Sequence, residues 1–213
     1  YQNPNDPKGS VFTANELYIP EDEVVNLNLY SKDVLHSFWI PKLAGKVDVV
    51  PNHQNTIWIK ADEPGVYLGQ CAEFCGVAHA LMRFHVIAKS RSEFDEWLLD
   101  QASSAVESEE PLALEGRTLF EGEAQCYACH TVQGSDRSKG RRGPDLTHLA
   151  SRQYIAAGIL ENNQENLRKW LTNPDKIKPG NLMSREASVF VEPEKRLSER
   201  QISALVAYLQ TLE

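Results

Sequence analysis

Four residues with soft or borderline metal-ligating atoms lie within twelve positions of one another: Cys71, Cys75, His79 and Met82. Thiol and imidazole ligands favour copper or zinc over calcium or magnesium. The Cys-x3-Cys spacing does not exclude zinc, because zinc sites commonly separate two cysteines by two to four residues. Met82 favours copper, since a thioether is a recurring weak axial ligand in copper electron-transfer sites. Two thiolates are also enough to bridge two copper ions, so the segment predicts a dinuclear copper site.

A second imidazole for this site is expected from elsewhere in the chain. His36 is the candidate, because it lies at the end of an apolar strand pattern upstream of the cysteine loop. The alternative for the cysteines is a pair of disulfides, as in a small secreted protein. Each cysteine pair is accompanied by a histidine and followed by one of the two methionines of the chain, Met82 or Met183. That distribution favours metal binding over disulfides.

The second cysteine pair lies in the sequence Cys126-Tyr-Ala-Cys129-His130, the pattern of covalent c-type haem attachment. Two thiols one helical turn apart can each form a thioether with a haem vinyl group, while the adjacent histidine faces the iron. An isolated C-x-x-C-H can also be a redox or zinc motif, so the context decides. Met183 lies downstream, and a thioether axial ligand raises the reduction potential of haem iron, which suits an electron carrier.

The elements that must position these residues divide the chain into two predicted domains. Residues 1–91 contain short alternating apolar patterns separated by turn signals, which predict an all-β Greek-key sandwich or barrel. Residues 92–111 form a predicted connector, which starts as a helix with Ser92 as its N-cap and continues as a solvated tether. This range contains seven acidic residues and no basic residue. Residues 112–213 predict an all-α domain whose last helix starts at a capping box, Ser198 to Gln201, with helices also at 112–120 and 165–171.

The composition is that of a globular protein of two ordinary domains, with 213 residues, 41% hydrophobic content and a formal net charge of −8. No apolar run is long enough to span a bilayer, and the chain starts at Tyr1, so we expect a processed or engineered fragment.

The basic cluster at 137–142 contains Arg137, Lys139, Arg141 and Arg142. It predicts a solvated loop, and it lacks the interleaved aromatics of a nucleic-acid interface. The remaining histidines (His53, His85 and His148) have no ligand partners in sequence, and we interpret them as structural or surface residues.

The segments D-V-x-H-S-F-W-I-P and G-x-Y-x-G-x-C-A-E-F-C-G-x-x-H-x-x-M resemble the copper A domain of cytochrome c oxidase subunit II. The resemblance implies a cupredoxin-like fold, and it implies a dinuclear copper held by six residues: His36, Cys71, the carbonyl of Glu73, Cys75, His79 and Met82. It further implies that the Glu73 side chain helps to hold a magnesium ion at the junction with subunit I. The stretch containing Lys46 and Asp48 resembles a segment close to the catalytic subunit. Relatives also carry an N-terminal membrane anchor, which we expect to be missing here.

The last hundred residues resemble class I cytochromes c. That resemblance implies covalent haem c on Cys126 and Cys129, iron ligands His130 and Met183, and a Pro144 carbonyl that accepts a hydrogen bond from His130. Ser184 departs from the family pattern, where many relatives have proline after the methionine.

Together the two resemblances imply subunit II of a caa-type haem-copper oxidase, on the outer (periplasmic or extracellular) face of the bacterial cytoplasmic membrane. The implied function is a relay of electrons from an external donor, through haem c to the copper A centre, and on to subunit I for oxygen reduction. The donor would be a cytochrome c, another small redox protein or a quinol:cytochrome c reductase. No residue of this chain is expected to be catalytic, and the fragment alone would only transfer electrons within a proton-translocating terminal oxidase. Copper A also occurs in nitrous oxide reductase and some nitric oxide reductases, and a copper-delivery protein is the alternative from another class. Oxygen and nitric oxide stay open as terminal acceptors.

Overall fold

The computed structural model describes residues 1–106 and 108–213, the side chains of residues 7 and 8 excepted. Two compact units are present. The β unit comprises Asn15–Leu98 with Ala157–Ile159, and the helical unit comprises Tyr1–Ala14, Leu99–Ala156 and Leu160–Glu213. The boundaries 1–91, 92–111 and 112–213 remain a prediction, and Glu107 of the predicted connector lies outside the described residues.

The β unit is a pair of sheets. Its strands are β3 (Glu16–Pro20), β4 (Val25–Leu29), β5 (His36–Trp39), β6 (Val47–Val49), β7 (Asn55–Ile59), β8 (Gly65–Cys71) and β9 (Arg83–Lys89). One sheet has the order β3-β9-β8-β5-β6, in which β3 and β9 are parallel and the other neighbours antiparallel, and the second pairs β4 with β7. This architecture confirms the predicted cupredoxin-like β domain.

The core of the β unit follows from the alternation in its strands. In β4 the side chains of Val25, Leu27 and Leu29 point inward, while those of Asn26 and Asn28 are exposed. This period of two is what a sheet with one buried face requires. Both sheets contribute to one buried cluster, which consists of Ile19, Ile40, Ile59, Ala61, Val86 and Ala88.

Helix α1 (Arg91–Gln101) begins earlier than the sequence predicted. The Ser90 N–H donates to Glu93 Oε2 at 3.1 Å, and the Glu93 N–H donates to Ser90 Oγ at 3.4 Å. This reciprocal pair is a capping box. The prediction of Ser92 as N-cap was therefore wrong, because the glutamate that completes the box lies three residues after Ser90.

In its described residues, the helical unit contains a short N-terminal hairpin, a second small hairpin and the six α-helices α2 to α7. The strands are β1 (Gln2–Asn3), β2 (Asp6–Ser10), β10 (Tyr154–Ile155) and β11 (Leu160–Glu161), and the helices are α2 (Pro111–Glu121), α3 (Gln164–Thr172), α4 (Pro174–Ile177), α5 (Leu182–Glu186), α6 (Ser188–Val191) and α7 (Glu199–Leu209). The predicted capping box at Ser198 and Gln201 is present at the start of α7. The predicted helical domain is confirmed.

Helices α2 and α7 cross closely at Gly116. A Cβ at this position would lie 2.0 Å from the carbonyl oxygen of Ala204, so no larger residue fits without moving a helix. One turn further, the rings of Phe120 and Tyr208 meet edge to face with centroids 5.5 Å apart. The two helices thus close an apolar core around Leu205, which is 1% exposed.

Part of the predicted tether is fastened to the helical unit. The N–H of Ala105 donates to the Gln133 carbonyl at 3.2 Å, and Nε2 of the buried His148 lies 3.1 Å from the Ser103 carbonyl oxygen. Ala105 also packs against the apolar core. These hydrogen bonds attach Ser103 and Ala105 to the helical unit, while Ser103 and Ser104 remain exposed, so the solvated tether stays a prediction.

Candidate metal centres

The thiol-pair site, consisting of His36, Cys71, Cys75, His79 and Met82, is built where two antiparallel strands end together. His36 is the first residue of β5 and Cys71 the last of β8, and Phe38 pairs with Cys71 in the ladder. The N–H of Ala72 donates to the Ser37 carbonyl at 2.9 Å, and the N–H of Cys71 donates to the Met82 carbonyl at 3.0 Å. Sheet hydrogen bonds therefore fix the first histidine and the first cysteine relative to each other.

The thiols and imidazoles predicted from the sequence come together in the structure. Cys71 Sγ lies 3.7 Å from Cys75 Sγ and 3.8 Å from Nδ1 of His36. Cys75 Sγ lies 3.5 Å from Nδ1 of His79. Among the His, Cys, Asp and Glu side chains in residues 1–106 and 108–213, those of His36, Cys71 and Cys75 form the group whose ligand atoms all lie within 4.8 Å of one another.

The remaining predicted ligand atoms border the same sulfurs. Met82 Sδ lies 3.7 Å from Cys75 Sγ, and the carbonyl oxygen of Glu73 lies 3.2 Å from Cys71 Sγ. Met82 follows a single 3-10 turn, His79–Leu81, in which the Met82 N–H donates to the His79 carbonyl at 3.1 Å. This turn places the thioether and the second imidazole on the side of Cys75.

Asp33 orients the first imidazole, a role that the sequence analysis did not assign. Its Oδ1 lies 2.9 Å from Nε2 of His36, which leaves Nδ1 directed at the thiols. A carboxylate bound to the far nitrogen of a ligating histidine fixes the tautomer and the ring orientation. The aspartate three residues before the histidine was the available signal.

The two thiols differ in acidity. Burial opposes ionisation of Cys71, but hydrogen bonds with the backbone of Glu73 and Ser37 and with His36 outweigh it and lower the pKa of this thiol to about 7. Burial raises the pKa of Cys75 to about 11, and its neighbour Cys71 adds to this. Metal binding at this pair must therefore displace a proton from Cys75, because only the thiolate is a ligand.

The C-x-x-C-H site, consisting of Cys126, Cys129 and His130, begins with a 3-10 turn, Cys126–Ala128. The N–H groups of Cys129 and His130 both donate to the Cys126 carbonyl, at 3.1 and 3.0 Å. All four cysteines of the chain are free thiols, so the disulfide alternative is not observed. Burial raises the pKa of Cys126 to about 12, which keeps it protonated.

The ring of His130 is held in one orientation by the loop that follows. Its Nδ1 donates to the Pro144 carbonyl, 2.8 Å away, which leaves Nε2 as the nitrogen able to bind a metal. Burial lowers the pKa of His130 and so favours the neutral, ligating form. A Cβ at Gly143 would lie only 2.4 Å from Cε1 of this ring, so glycine is required for the close approach.

Met183 lies in α5 and packs against the apolar core of the helical unit, as Cys126 does. The side chain of Asn181 caps this helix by accepting from the Ser184 N–H at 2.9 Å. Ser184, which stands where many class I cytochromes c have proline, also donates from Oγ to Asp175 Oδ1 at 3.2 Å. These local hydrogen bonds give the methionine segment a defined conformation without proline.

The other predicted surface features are partly engaged. In the basic cluster, the guanidinium of Arg137 lies 4.5 Å from the ring centroid of Tyr127, and Arg142 forms an ion pair with Glu186. His53 is exposed, whereas His85 and His148 are buried. Within the described part of the chain, every helix is too short or too polar to traverse a lipid bilayer.

Comparison with known families gives two matches along the chain. Residues 8–89 match the family described as cytochrome c oxidase subunit II, periplasmic domain, and residues 113–213 match the cytochrome c family. The chain is 45% identical over 95% of its length to cytochrome c oxidase subunit 2 of Alkalihalophilus pseudofirmus, and it covers 56% of that protein. It is 39% identical over 97% of its length to cytochrome c oxidase subunit 2 of Bacillus sp. PS3, and it covers 58% of that protein.

The structure of the periplasmic domain of cytochrome oxidase subunit II from Bradyrhizobium japonicum is also similar. It has a TM-score of 0.40 and 32% identity, and the match covers 40% of this chain and 62% of that one. The chain spans a little more than half the length of the curated relatives named above.

A β domain with a thiol-pair site, followed by a helical domain with a C-x-x-C-H site, defines a two-domain metal-binding protein. The matches assign two segments of the chain: residues 8–89 are similar to the periplasmic domain of cytochrome c oxidase subunit II, and residues 113–213 are similar to a cytochrome c domain.

Proposed function

We propose that this chain is the outward-facing electron-transfer part of a caa-type haem-copper oxidase. It accepts electrons from an external donor and passes them to the catalytic subunit, which reduces oxygen. The observation that carries the proposal is the arrangement of two thiols 3.7 Å apart, flanked by His36, His79 and Met82, in one chain with a C-x-x-C-H site. Relatives named cytochrome c oxidase subunit 2 share almost the whole of this chain.

The donor atoms of the thiol-pair site fit a dinuclear copper centre. Each thiol has its own imidazole neighbour, and the thioether and the Glu73 carbonyl border different sulfurs. Soft sulfur with imidazole suits copper, and a thioether is a weak axial ligand of copper rather than a ligand of zinc. We assign the copper ligands as six residues: His36, Cys71, the carbonyl of Glu73, Cys75, His79 and Met82.

The C-x-x-C-H site fits a covalent haem c. Cys126 and Cys129 are free thiols available for thioether bonds, and Nε2 of His130 is left for the iron by the hydrogen bond to Pro144. The Gly143 position, where a Cβ would collide with the His130 ring, indicates a loop shaped around that histidine. We assign Met183 as the second iron ligand.

When bound, the copper pair and the haem iron supply one-electron redox couples. The contribution of the chain is to hold their ligands still. Asp33 and Pro144 fix the two imidazoles His36 and His130, and the ladder hydrogen bonds fix Cys71. Ligands held in this way need little rearrangement when the charge changes, and preorganised surroundings of this kind favour fast electron transfer.

The proposed partners follow from the same family. We propose the catalytic subunit I as the acceptor, and contact with it through the segment that contains Lys46 and Asp48. Glu73 is half-buried beside the thiol pair, and we propose that its carboxylate helps to hold a magnesium ion at that junction in the intact complex. The donor is proposed to be a cytochrome c, another small redox protein or a quinol:cytochrome c reductase, and the assembly to lie on the outer face of the bacterial cytoplasmic membrane.

Three measurements on the purified, metal-loaded chain test this function. Electron paramagnetic resonance should show copper hyperfine coupling shared over two nuclei, and elemental analysis should give copper and iron without zinc. In stopped-flow reduction, haem bleaching should precede copper reduction, and the second phase should not depend on protein concentration. A single-nucleus copper signal would support copper delivery instead, and zinc in place of copper would end the proposal.

A further inference from the structure

One ion pair joins the two sides of the proposed haem site. Arg142 donates from Nε to Glu186 Oε2 and from Nη2 to Oε1, a two-pronged arrangement in which both carboxylate oxygens are used. Forked pairs of this kind fix orientation as well as distance. Arg142 belongs to the basic cluster that was predicted to be a solvated loop, and Glu186 has no predicted role. The proposed function does not use this pair.

On one side the pair is attached to the loop that orients His130. Arg142 directly precedes Gly143, whose N–H donates to the Cys129 carbonyl at 2.8 Å, and Pro144, whose carbonyl accepts from His130. There is no free volume between Gly143 and the His130 ring. Arg142 therefore projects from a segment that cannot shift without moving the C-x-x-C-H site.

On the other side the pair is attached to the helix that carries Met183. Glu186 is the last residue of α5, which has only five residues, Leu182–Glu186. The hydrogen bonds that cap and flank α5 are local: Ser184 bonds to Asn181 and Asp175, and the Ala187 N–H donates to the Met183 carbonyl at 3.1 Å. These hydrogen bonds shape the segment, and the packing of Met183 against the apolar core connects it to the rest of the unit. The Arg142–Glu186 pair spans 44 residues and also attaches it to the rest of the unit.

We propose that Arg142 and Glu186 are positioning residues that clip the Met183 helix to the Pro144 loop and so keep the methionine thioether on the haem iron. This inference rests on the proposed function, because it takes Met183 as an iron ligand. The hydrogen bond with Glu186 raises the pKa of Arg142, and the one with Arg142 lowers the pKa of Glu186, so both groups are charged at neutral pH.

The Arg142–Glu186 pair is expected to affect the local opening of α5 and not the global stability of the unit. The side chains of Arg142 and Glu186 are 59% and 38% exposed, and exposed ion pairs contribute little to the free energy of unfolding. Helix α5 has five residues, none of them buried, and packs against the core through Met183. Such a helix opens more easily than a core helix, and one added attachment changes how often it opens. An external ligand for the iron reports that opening, because its apparent affinity rises with the fraction of open molecules.

The test uses the haem-loaded full chain and imidazole as the competing ligand. Titration of the ferric protein, followed by loss of the thioether-to-iron charge-transfer absorption, gives the apparent imidazole affinity. We expect Glu186→Gln and Arg142→Gln each to bind imidazole on the order of fivefold more tightly than the unmodified chain. The double variant Arg142→Glu with Glu186→Arg should return toward the original affinity. Raising the salt from about 0.01 M to about 1 M should shrink the difference, since exposed charges are screened.

Arg200→Gln is the matched control. Arg200 forms the same kind of fork with Glu115, at 3.1 and 2.8 Å, with 79% and 35% exposed side chains, but it joins α7 to α2 instead of touching the methionine segment. It should leave imidazole binding unchanged. Equal affinities in Glu186→Gln, Arg142→Gln and the unmodified chain would overturn the clip, as would an equal change in Arg200→Gln or a failure of the double variant to recover. Absence of the charge-transfer absorption in the unmodified chain would instead overturn Met183 as a ligand, and with it this part of the proposed function.

Discussion

Asp33 and His36 are joined across one turn of chain, with Asp33 Oδ1 2.9 Å from Nε2 of the imidazole. The opposite ring nitrogen lies 3.8 Å from the sulfur of Cys71. The orientation of one ligand of the thiol-pair site therefore depends on a carboxylate bonded to the ring nitrogen that faces away from Cys71.

Replacing Asp33 with asparagine should weaken copper binding roughly tenfold, because second partners of ligating histidines typically contribute tenfold to a hundredfold to metal affinity. Competition titration with a copper chelator measures this. Asp22→Asn is the control, since Asp22 is an exposed acid of the same unit that pairs with Lys60. Equal affinities in Asp33→Asn and Asp22→Asn would show that the carboxylate does not support the site.

The two sulfur types at the thiol-pair site should respond differently to substitution. Cys75→Ser removes one of the two thiols, so copper content should fall from about two ions per chain to about one or fewer. Met82→Leu removes only a thioether at 3.7 Å from Cys75 Sγ and should keep both ions while shifting the optical spectrum. Elemental analysis and absorption spectra check both results. Full copper content in Cys75→Ser would exclude a centre that needs two thiolates.

Gly143→Ala should destabilise the helical unit by about 1–3 kcal/mol, because overpacking of a filled site forces neighbours to move. The added Cβ would lie 2.4 Å from Cε1 of His130. Denaturant unfolding followed by haem absorption measures the loss. Gly45→Ala is the control, since a Cβ there would have no atom within 4 Å, and its unfolding free energy should stay close to that of the unmodified chain.

The stability of the β unit should fall in mildly acidic solution because of His85. This residue is 8% exposed, and burial, followed by the nearby charge of Arg83, lowers its pKa. In the unfolded chain the histidine takes up a proton near its ordinary value of about 6.5, whereas the folded chain resists it to lower pH. The stabilising contribution is therefore complete above about pH 6.5 and is lost as the pH falls below that value.

Urea unfolding of the metal-loaded chain at about pH 7.5 and about pH 5.5 checks this dependence. His85→Gln should show a smaller loss between the two conditions, while His53→Gln, which changes an exposed histidine, should behave like the unmodified chain. The ionisable residue opposite His85 in the parallel ladder is Glu16, which is also buried, and it is unchanged in both variants. Identical acid losses in all three proteins would rule out His85 as the source.

The features that the sequence predicted well are those with local causes. Cys71 and Cys75 are four residues apart, and the thiol-to-thiol distance follows mainly from the loop between them. The capping box at Ser198 is equally local, and it was confirmed. The first predicted helix, at 112–120, is also present, as α2 (Pro111–Glu121).

The features that the sequence did not reveal depend on which distant segments meet. The Arg142–Glu186 pair spans 44 residues, and a charge run gives no information about the partner of one member. The fastening of Ser103 by His148 likewise joins segments 45 residues apart. The grouping of Tyr1–Ala14 with the helical unit was not predicted for the same reason. A strand pattern does not indicate with which unit the strand will pack.

Tyr18 stacks on Trp97, with ring centroids 4.1 Å apart and planes 12° from parallel. This contact affects where an expression fragment of the β unit should end. An expression fragment that stops at the last sheet residue, Lys89, would strip the indole from Tyr18, which is only 5% exposed in the intact chain. A fragment that contains the β unit should therefore end beyond residue 98 and not at the end of β9. The first turns of α1 cover part of the β unit and should be included in the same fragment.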